Sequence, residues 1–533
     1  MVERRAVLRA SAGLAAAFAF ARSASGLAAD ASEEPPAPPG IRLGEATPFD
    51  PASLRERARA LAGEAFRPRA DEVPGPVADL GYDRHRAIRF RPDAALWSDA
   101  DRPYRVQFFH LGSFYETPVH VFVVEEGQAR EVLYDPALFT FGAEEFPDGP
   151  PADMPDDLGF AGFRLHAPLN RPDVFDELAV FLGASYFRAV GAGQRYGLSA
   201  RGIAVNTGQS EGEEFPDFVA FWLERPRPGA SEIVLHALLD GPSVAGAYRF
   251  AIRPGATTEM DVDAALFPRE AIDLFGVAPL TSMYLFGPAD RGDVDDFRPA
   301  VHDSEGLEIW TGGGERIWRP LANPRRLRQA VYGDTNPRGF GLMQRTRDFD
   351  AYEDLEARYD LRPGLWVEPR SDWGRGQVRL FELPTDAEVN DNIVAFWVPG
   401  SPPEPGGEYR LAYRLHWCKD TPFPPSLARV VDTRVGAGGV PGTDSAGQGR
   451  KFVVDFAGGP LSELPADEIV NAELGVVRGA TTEPVVQANP VTGGRRVFFD
   501  LRPEDSRPPV EFRLRLHRGG SVLSETWSYQ WTP

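Results

Sequence analysis

Apolar and polar side chains alternate along much of this chain with a period of two residues. In the segment YRVQFFH, Tyr104, Val106 and Phe108 alternate with Arg105 and Gln107. A period of two places one face of an extended segment in a core and leaves the other face in water, as in antiparallel sheets. The pattern therefore predicts a strand here and is typical of an all-β protein.

Two longer segments predict β-hairpins. Residues 119–135 (VHVFVVEEGQAREVLYD) turn near Gly127, and residues 232–252 (EIVLHALLDGPSVAGAYRFAI) turn at Gly241 and Pro242. In both segments, alternation on either side of the turn predicts one buried and one solvated face. We find no regular alternation of strands with helices, so a doubly wound sheet or a TIM barrel is not expected.

One helix is predicted before most of these strands. Ser53, followed three residues later by Glu56, matches a capping box, which satisfies free backbone N–H groups at the start of a helix. The apolar side chains that fall on one face of this helix are Leu54, Ala58, Leu61 and Ala65. We therefore predict a helix over residues 53–66.

A stretch rich in proline and glycine predicts a domain boundary. Residues 398–409 (VPGSPPEPGGEY) contain four prolines and three glycines, a composition typical of linkers. We expect a large N-terminal β-sandwich over residues 41–398, a linker over 399–408 and a small immunoglobulin-like β-sandwich over 409–533. The strand patterns that support the last part are YRLAYRLHW, RKFVVDF, RRVFFDL and VEFRLRLHRGG.

The N-terminal sequence indicates export from the cytoplasm. Arg4 and Arg5 precede a short apolar run and then small residues, as in a signal peptide, and the run is too short for a membrane span. The arginine pair resembles a twin-arginine signal, so we expect a signal peptide of this type over residues 1–29. An ordinary secretory leader or an amphipathic helix is the alternative. The acidic, proline-rich residues 30–40 are expected to form a disordered spacer.

Composition and missing motifs narrow the range of functions. The 533 residues carry a formal net charge of −21, which repels phosphate backbones and anionic lipid, so nucleic acid and membrane surfaces are poor partners. The single cysteine, Cys418, excludes an intramolecular disulfide and a cysteine-rich zinc site. The eight histidines form no HExxH motif, and the chain has no P-loop or GxGxxG motif. Carboxylate side chains therefore remain as the candidates for catalytic residues.

Two aspartates are candidates for that chemistry. Asp303 lies in HDSEGLEIW, and Asp391 lies in NDN directly before the apolar segment IVAFW. Glycoside cleavage needs two carboxyl groups, and the mouth of a buried strand suits the one that must hold a proton, because desolvation raises its pKa. A simple turn is the alternative at both positions. Nearby, Trp310 and Trp318 are candidates for sugar stacking or for packing in a core.

Longer motifs resemble the OpgG/OpgD family of periplasmic glucan biosynthesis proteins. The resemblance runs from about residue 40 to the end of the chain, with the motifs in the family's order. They are GFAGFRLHAPLNRPDVFDELAVFLGASYFRAVGAGQRYGLSARGIAVNTG (159–208), GEEFPDF (212–218), HDSEGL, IWRPLANP, GFGLMQRTRDF, RYDLRP, NDNIVAFW and LSETWSYQ (523–530). The twin-arginine pattern leans toward the OpgD branch.

The resemblance implies both a fold and a role. It implies a large β-sandwich with a long cleft and a small immunoglobulin-like sandwich, in agreement with the boundary above. Members of the family are similar to one another in acting as inverting endo-β-1,2-glucanases in the synthesis of osmoregulated periplasmic glucans, so a periplasmic enzyme is expected. Some members resemble transglycosylases that close a glucan ring. The competing class is a non-catalytic glucan-binding scaffold for a membrane glucan synthase.

The resemblance also implies roles for single residues. Asp391 of the NDN motif matches the general acid, and Asp303 of the HDS motif matches a general base that works through a chain of hydroxyls and water. Tyr359 in RYDLRP matches a position near that chain. The other residues expected to position glucose units in the cleft are Arg347, Asp348, Asp354, Glu388 and, by stacking, Trp318.

The expected ligands follow from these roles. The substrate is expected to be β-1,2-glucan, and no metal or organic cofactor is needed because carboxyl groups handle both protons. A homodimer and a functional link to a membrane glucan synthase stay open. Two positions depart from the family pattern: Glu305 stands where relatives often have Asp or Asn, and Val389 where others often have Thr. Either change could alter the relay or the affinity of a subsite.

Overall fold

The computed structural model describes residues 40–69, 73–98, 102–150, 154–440, 442, 445–502 and 509–532. The signal peptide predicted over 1–29 and all but the last residue of the spacer predicted over 30–40 lie outside these ranges and stay predictions. Among the residues described, no helix combines the length and the apolar composition needed to span a membrane.

Strands dominate the described ranges and helices are few. The α-helices there are α1 Pro51–Ala62, α2 Gly75–Ala78 and α3 Tyr82–Arg86. Short 3-10 turns occupy Pro92–Ala94, Pro136–Leu138, Phe349–Ala351, Tyr359–Leu361 and Gly459–Glu463. The all-β prediction is therefore confirmed.

The strands in the first half of the chain are β1 Leu43–Pro48, β2 Ile88–Phe90, β3 Arg105–Phe109, β4 His120–Glu125, β5 Gln128–Val132, β6 Phe139–Phe141, β7 Gly162–Pro168, β8 Phe175–Leu182, β9 Tyr186–Ala189, β10 Ser199–Arg201, β11 Ile203–Val205, β12 Asp217–Glu224, β13 Ile233–Asp240, β14 Val244–Arg253, β15 Thr258–Pro268, β16 Phe275–Ser282 and β17 Tyr284–Phe286. Those in the second half are β18 Val301–His302, β19 Gly306–Trp310, β20 Arg316–Pro320, β21 Arg328–Thr335, β22 Gly339–Met343, β23 Gly364–Pro369, β24 Arg375–Glu382, β25 Ile393–Pro399, β26 Tyr409–Cys418, β27 Arg429–Ala437, β28 Arg450–Ala457, β29 Asn471–Val477, β30 Ala480–Thr481, β31 Val485–Asn489, β32 Gly494–Arg502, β33 Val510–Arg518, β34 Ser521–Val522 and β35 Thr526–Trp531.

Two large sheets enclose the main core. One has 16 strands, in the order β1-β5-β4-β12-β13-β14-β15-β26-β23-β22-β19-β20-β35-β33-β29 with β34 beside β33. The other has 10 strands, in the order β21-β24-β25-β16-β10-β9-β8-β7-β3 with β11 beside β16. Phe163 and Phe181 of the second sheet meet Phe221 of the first at ring distances of 4.9 and 5.3 Å. The sheets therefore pack face to face over an aromatic core, as in a β-sandwich.

Both predicted hairpins are present. β4 pairs with β5 across a tight turn at Glu126 and Gly127, which both adopt positive φ, and β13 pairs with β14 in antiparallel register. The prediction that one face of the second hairpin is solvated is wrong, because Leu54 of α1 packs against Leu238 and Ala247 on that face. A helix lying on the sheet therefore buries positions that the alternating pattern assigned to water.

The predicted helix is present with shifted bounds. It begins at Pro51 and ends at Ala62, and its N-cap is Asp50, whose side chain accepts a hydrogen bond from Ala52 N at 3.2 Å. The capping box predicted at Ser53 is wrong, because the Ser53 hydroxyl donates to the Asp50 carbonyl at 2.6 Å. Asp50 followed by Pro51 is itself a strong start signal for a helix.

The strand after the proline-rich stretch belongs to the large sheet. β26, Tyr409–Cys418, pairs with β15 on one side and β23 on the other, and its apolar side chains join the main core. Assigning this strand to a separate C-terminal sandwich was therefore a mistake. The rest of the domain division, including the immunoglobulin-like topology of the last part, stays a prediction.

A second core lies among the last strands. A five-stranded sheet of β27, β28, β32, β30 and β31 contributes Phe452 and Phe499, which pack against Phe512 and Trp527 of the 16-stranded sheet. The 16-stranded sheet links the two cores directly, because β20 pairs in parallel with β35.

A carboxylate pair on the helix-covered face of the large sheet predicts a pH-dependent stability. Asp217 and Asp240 are cross-strand partners on β12 and β13, and burial, helped by the charge of Asp240 and opposed by Arg69 and Thr117, raises the pKa of Asp217 to about 7. The folded state thus holds a proton that the unfolded chain releases near pH 4, so the free energy of unfolding falls as pH rises from about 4 to 7.

We expect Asp217→Asn to remove this loss and to stabilise the protein relative to the wild type at pH 8. Urea unfolding at pH 5 and pH 8 measures the difference. The control is Asp263→Asn, at an exposed position on β15, which should leave the pH dependence unchanged. An equal decline in the wild type and in Asp217→Asn would contradict the prediction.

Candidate active site

One cavity gathers the two candidate acids. It has a volume of about 1040 Å³, at the upper end of the range for ligand pockets, and we call it the acid cleft. Of the eight residues singled out in the sequence as site residues, five line it: Asp303, Asp354, Tyr359, Glu388 and Asp391. The opposite part of the lining comes from segments much earlier in the chain, which begin with Arg86 and Arg89 and end with Gln194 and Arg195.

The NDN motif holds Asp391 at the start of β25. Asn392 accepts a hydrogen bond from Tyr284 N at 2.8 Å and donates to Tyr284 O at 2.9 Å and Leu383 O at 3.0 Å. Asn390 donates to the Thr385 hydroxyl at 3.2 Å. The two amide side chains anchor the turn on both sides, which leaves the central carboxylate to face the cleft. The NDN segment is therefore a turn and at the same time the part of the cleft that holds a candidate acid, so these two interpretations of the motif do not compete.

Asp391 is buried and its carboxylate is incompletely paired. Its side chain is 10% exposed, and its Oδ2 atom has no hydrogen-bond partner within the described part of the chain. Burial raises the pKa of Asp391; the neighbouring Asp303 charge adds to this shift, whereas Arg188, Arg201 and Arg362 oppose it. Arg188 Nη2 lies 3.8 Å from Oδ2, which is too far for a strong charged hydrogen bond. Burial thus stabilises the protonated form of this acid relative to the same acid in water.

Asp303 lies directly after β18 and is 4% exposed. Its backbone N–H donates to Met283 O at 2.8 Å, which fixes the loop against the end of β16. Its Oδ1 atom accepts a hydrogen bond from Arg362 Nη1 within an ion pair. Asp303 and Asp391 thus lie in one cavity but in different surroundings, because Asp303 is paired with a guanidinium whereas Oδ2 of Asp391 has no hydrogen-bond partner in the described part of the chain.

Arg362 and Tyr359 form the wall beside Asp303. The Arg362 guanidinium lies 4.2 Å from the centre of the Tyr359 ring, and the Tyr359 hydroxyl donates to Glu388 Oε2 at 3.3 Å. Burial raises the pKa of Tyr359, so its hydroxyl stays protonated and can donate and accept at the same time. This is the property that a member of a proton relay needs.

Arg298 joins three loops at the mouth of the cleft. Its guanidinium contacts Asp296 at 2.7 Å, Asp354 at 2.9 Å and Glu388 at 2.7 Å. Although burial works against it, the pKa of Asp354 is lowered, because the Ala357 N–H group and Arg298 both bind its ionised form. The predicted cleft residues Asp354 and Glu388 are therefore brought together by a cation that sequence reasoning missed.

The rim of the cleft carries exposed apolar side chains. Phe297 is 75% exposed, Leu355 is 80% exposed and Val389 is 47% exposed, and all three line the same cavity. Large apolar side chains that remain in water at a cavity mouth are typical of ligand contact. They suit the apolar faces of sugar rings better than Trp318 does.

The structure contradicts the stacking role expected for Trp318. Its side chain is 2% exposed and lies over Gly306. The Arg345 guanidinium stacks on its ring, 3.6 Å from the ring centre. It belongs to the second core and does not line the cleft. Trp310 likewise packs against Arg316 and Phe423.

Two further predictions for the cleft also fail. Arg347 does not line it; its guanidinium donates to the carbonyls of Asp360, Arg362 and Lys419, which clamps the segment carrying Arg362 against the end of β26. Asp348 is exposed at the start of a 3-10 turn, outside the cavity. Long polar side chains can bind backbone as easily as ligand, and residue type does not distinguish the two.

Arg188 and Arg362 are the main residues that sequence reasoning missed. Arg188 sits in β9, whose residues are all buried, and its Nε donates to Ser199 Oγ at 2.6 Å. A single arginine inside an otherwise apolar strand is a usable signal, because a buried charge needs a partner of opposite sign. Arg362 belongs to the RYDLRP motif, in which only Tyr359 was assigned a role from the sequence.

The two departures from the family pattern differ in their consequences. Glu305 accepts hydrogen bonds from the backbone N–H groups of Arg345 and Thr346 at 3.0 and 2.8 Å, so it organises the next loop and does not face the cleft. Val389 lines the cleft beside Asp391. In the described ranges, no group of His, Cys, Asp and Glu is arranged to hold a metal ion.

The stacked sheets and the acid cleft define a β-sandwich protein with a cavity that presents carboxyl, guanidinium and hydroxyl groups and an apolar rim, a lining suited to a carbohydrate. Comparison with known proteins agrees: residues 49–531 match the family described as "Periplasmic glucan biosynthesis protein, MdoG". This chain belongs to that family, the OpgG/OpgD family predicted from its motifs, and its role lies in the synthesis of osmoregulated periplasmic glucans. The family name also places it in the periplasm.

Individual relatives cover nearly the whole chain. Glucans biosynthesis protein G of Rhodopseudomonas palustris strain BisA53 is 53% identical over 91% of this chain and 93% of its own length. The protein G of Bradyrhizobium diazoefficiens is 47% identical over 100% of both chains. Glucans biosynthesis protein D of Xanthomonas campestris pv. campestris strain ATCC 33913 is 48% identical over 92% of both. Relatives with either name match closely, and membership of the OpgD branch stays a prediction.

Proposed function

We propose that this protein is an exported, anomer-inverting enzyme that cleaves β-1,2-glucan within the chain. The observation that carries the proposal is the state of Asp391, a buried carboxyl with a raised pKa and an unpartnered oxygen in the same cavity as Asp303. A carboxyl whose pKa is raised keeps its proton to higher pH than an ordinary aspartate does, which suits a general acid. The β-1,2 linkage comes from the family resemblance, and the neutral, polyhydroxylated character of the substrate is compatible with the lining of the cleft.

In the proposed reaction, Asp391 donates its proton to the glycosidic oxygen as the bond from that oxygen to C1 breaks. A water molecule attacks C1 from the opposite face, which inverts the anomeric configuration. The proton of this water passes to Asp303. Because Asp303 is almost fully buried and paired with Arg362, a hydroxyl relay that includes the substrate or Tyr359 carries the proton better than direct contact would.

The test uses the purified protein and linear β-1,2-glucan. Thin-layer chromatography should reveal shorter linear products, and proton NMR at early times should detect the α-anomer at the new reducing end. No change in chain length together with retained glucan binding would overturn the enzymatic proposal and favour a scaffold for a membrane glucan synthase.

The size of the acid cleft favours a second candidate, an inverting transglycosylase that closes a glucan ring. A cavity of about 1040 Å³ has room for an acceptor sugar as well as the donor chain. In that reaction a sugar hydroxyl replaces water as the nucleophile. Products that lack a reducing end would identify it, whereas products that keep a reducing end support hydrolysis.

The raised pKa of Asp391 predicts the alkaline limit of activity. Because the acid must be protonated, kcat should fall as pH rises through this pKa. Arg188 opposes the rise, so Arg188→Met should raise the pKa of Asp391 further and move the alkaline limb of the pH–kcat profile to higher pH. Profiles of both proteins, with thermal unfolding to confirm folding, measure the shift. An unmoved limb, or one at lower pH, would contradict the prediction.

A further inference from the structure

A second large cavity lies away from the acid cleft. It has a volume of about 1000 Å³ and shares no lining residue with the cleft. It lies at the opposite end of the β24–β25 pair, where Arg375 and Gly376 meet Val398 and Pro399. Asp391 precedes Ile393 at the other end of β25, so at about 3.3 Å per residue the two sites are separated by roughly 17 Å of strand. We call this cavity the distal pocket.

Glycines keep the distal pocket open. A Cβ atom at Gly333 or Gly374 would meet no atom within 4 Å, and one at Gly313 would meet only the Thr311 hydroxyl at 3.8 Å. Gly374 has a positive φ, which accounts for its glycine, but Gly333 lies inside strand β21 without one. Glycine within a strand costs stability, and neither backbone conformation nor packing requires it at position 333. What its missing side chain provides is space in the pocket.

The walls of the pocket are held in place by hydrogen bonds. Asn336 and Gly374 bind each other through two bonds, Asn336 N to Gly374 O at 2.9 Å and Gly374 N to Asn336 Oδ1 at 2.6 Å. Gly400 N donates to Arg375 O at 2.8 Å, and the Asp334 carboxylate accepts from Gly312 N at 2.9 Å. A pocket whose walls are fixed in the free protein loses little entropy when a ligand binds.

The side chains of the pocket favour a neutral, polyhydroxylated ligand. Its charged residues are one acid, Asp334, and one base, Arg375, so the lining has no net charge to attract a phosphate or a polycation. The half-buried ring of Tyr409, which packs against Phe275, offers an aromatic surface. The amide and hydroxyl groups beside it belong to Gln377, Thr335 and Ser401. Donors and acceptors around an aromatic ring are what sugar hydroxyls and apolar sugar faces require.

We propose that the distal pocket is a second glucan-binding site, which holds a part of the glucan chain remote from the acids. The proposal rests on the family's role in glucan biosynthesis, and it does not depend on whether the acid cleft hydrolyses, transfers or only binds.

Hydrogen–deuterium exchange of the full-length Asp391→Asn protein tests this inference without turnover. Addition of short linear β-1,2-glucan is expected to slow exchange in residues 333–335 and 373–377 as well as in the cleft segments 353–359 and 388–391. Gly333→Leu in the same background fills the pocket with a side chain that strands accept, and should abolish protection at the first two segments while the cleft segments keep theirs. Gly436→Leu is the matched control, a glycine in β27 whose Cβ would also meet nothing within 4 Å.

Each outcome decides the proposal. Protection confined to the cleft, absence of any glucan binding, or protection at 333–335 and 373–377 that survives Gly333→Leu would overturn it. Loss of protection in Gly436→Leu would attribute the effect to general destabilisation and would also count against it. The turnover assay on the unmodified protein is separate, so failure of the proposed enzymatic reaction leaves the protection result to be judged by itself.

Discussion

Asp391→Asn is expected to lower kcat on linear β-1,2-glucan by about 10²–10⁴-fold, the contribution typical of a general acid. Asparagine has nearly the same shape but has no proton that it can transfer to the leaving oxygen. The hydrogen bonds that shape the turn come from Asn390 and Asn392 and remain in the variant. Glucan binding should therefore change little, and the loss should fall on kcat and not on KM.

Asp386→Asn provides the matched control for this experiment. Asp386 belongs to the same turn but is exposed and lies outside the cleft, so its replacement should leave kcat near that of the unmodified protein. Substantial activity in Asp391→Asn, or an equal loss in both variants, would remove Asp391 from the role of acid.

Asp303→Asn is expected to cause a second large loss of activity, also about 10²–10⁴-fold in kcat. The amide oxygen can still accept from Arg362, but it cannot take up a proton from the nucleophile. Removing the carboxylate also leaves the Arg362 charge without its ion-pair partner, and breaking a buried pair costs about 3–5 kcal/mol at most. The melting temperature should therefore fall together with kcat.

A matched control separates these two effects. Asp360 is a buried carboxylate that pairs with Arg358 at 2.7 Å, near Arg362 in the chain, but it does not line the cleft. Asp360→Asn should lower the melting temperature with a much smaller loss of kcat. If the two variants lost activity in proportion to their loss of stability, Asp303 would have a structural role and not a catalytic one.

The elements that depend on neighbouring residues were predicted well. The hairpin at Gly127 and the one at Gly241 follow from alternation interrupted by turn residues, and both signals are local. The helix near Ser53 was also predicted, with an error of two residues at its start, because Asp50 outcompetes Ser53 as the cap, and of four residues at its end. Motif recognition then named the family correctly and pointed to Asp303 and Asp391.

Features that depend on distant contacts were predicted less well. The pattern of Tyr409–Cys418 predicts a strand, but only pairing with β15 and β23 shows which sheet receives it. Trp318 and Arg347 have side chains suited to sugar binding, yet one packs in a core and the other binds backbone carbonyls. Residue type states what a side chain can do, whereas packing decides which way it faces.

The sequence by itself determined that the chain is all-β, where its local turns lie, and which family it belongs to, because period-two patterns, turn residues and motifs are written in consecutive positions. Only the tertiary structure decided that Asp303, Asp391, Arg188 and Arg362 share one cleft. Protonation depends on burial and on charges within a few ångströms, and these come from strands and loops that are far apart in the chain. The physical state of the acids is therefore a property of the fold and cannot be obtained from any single motif.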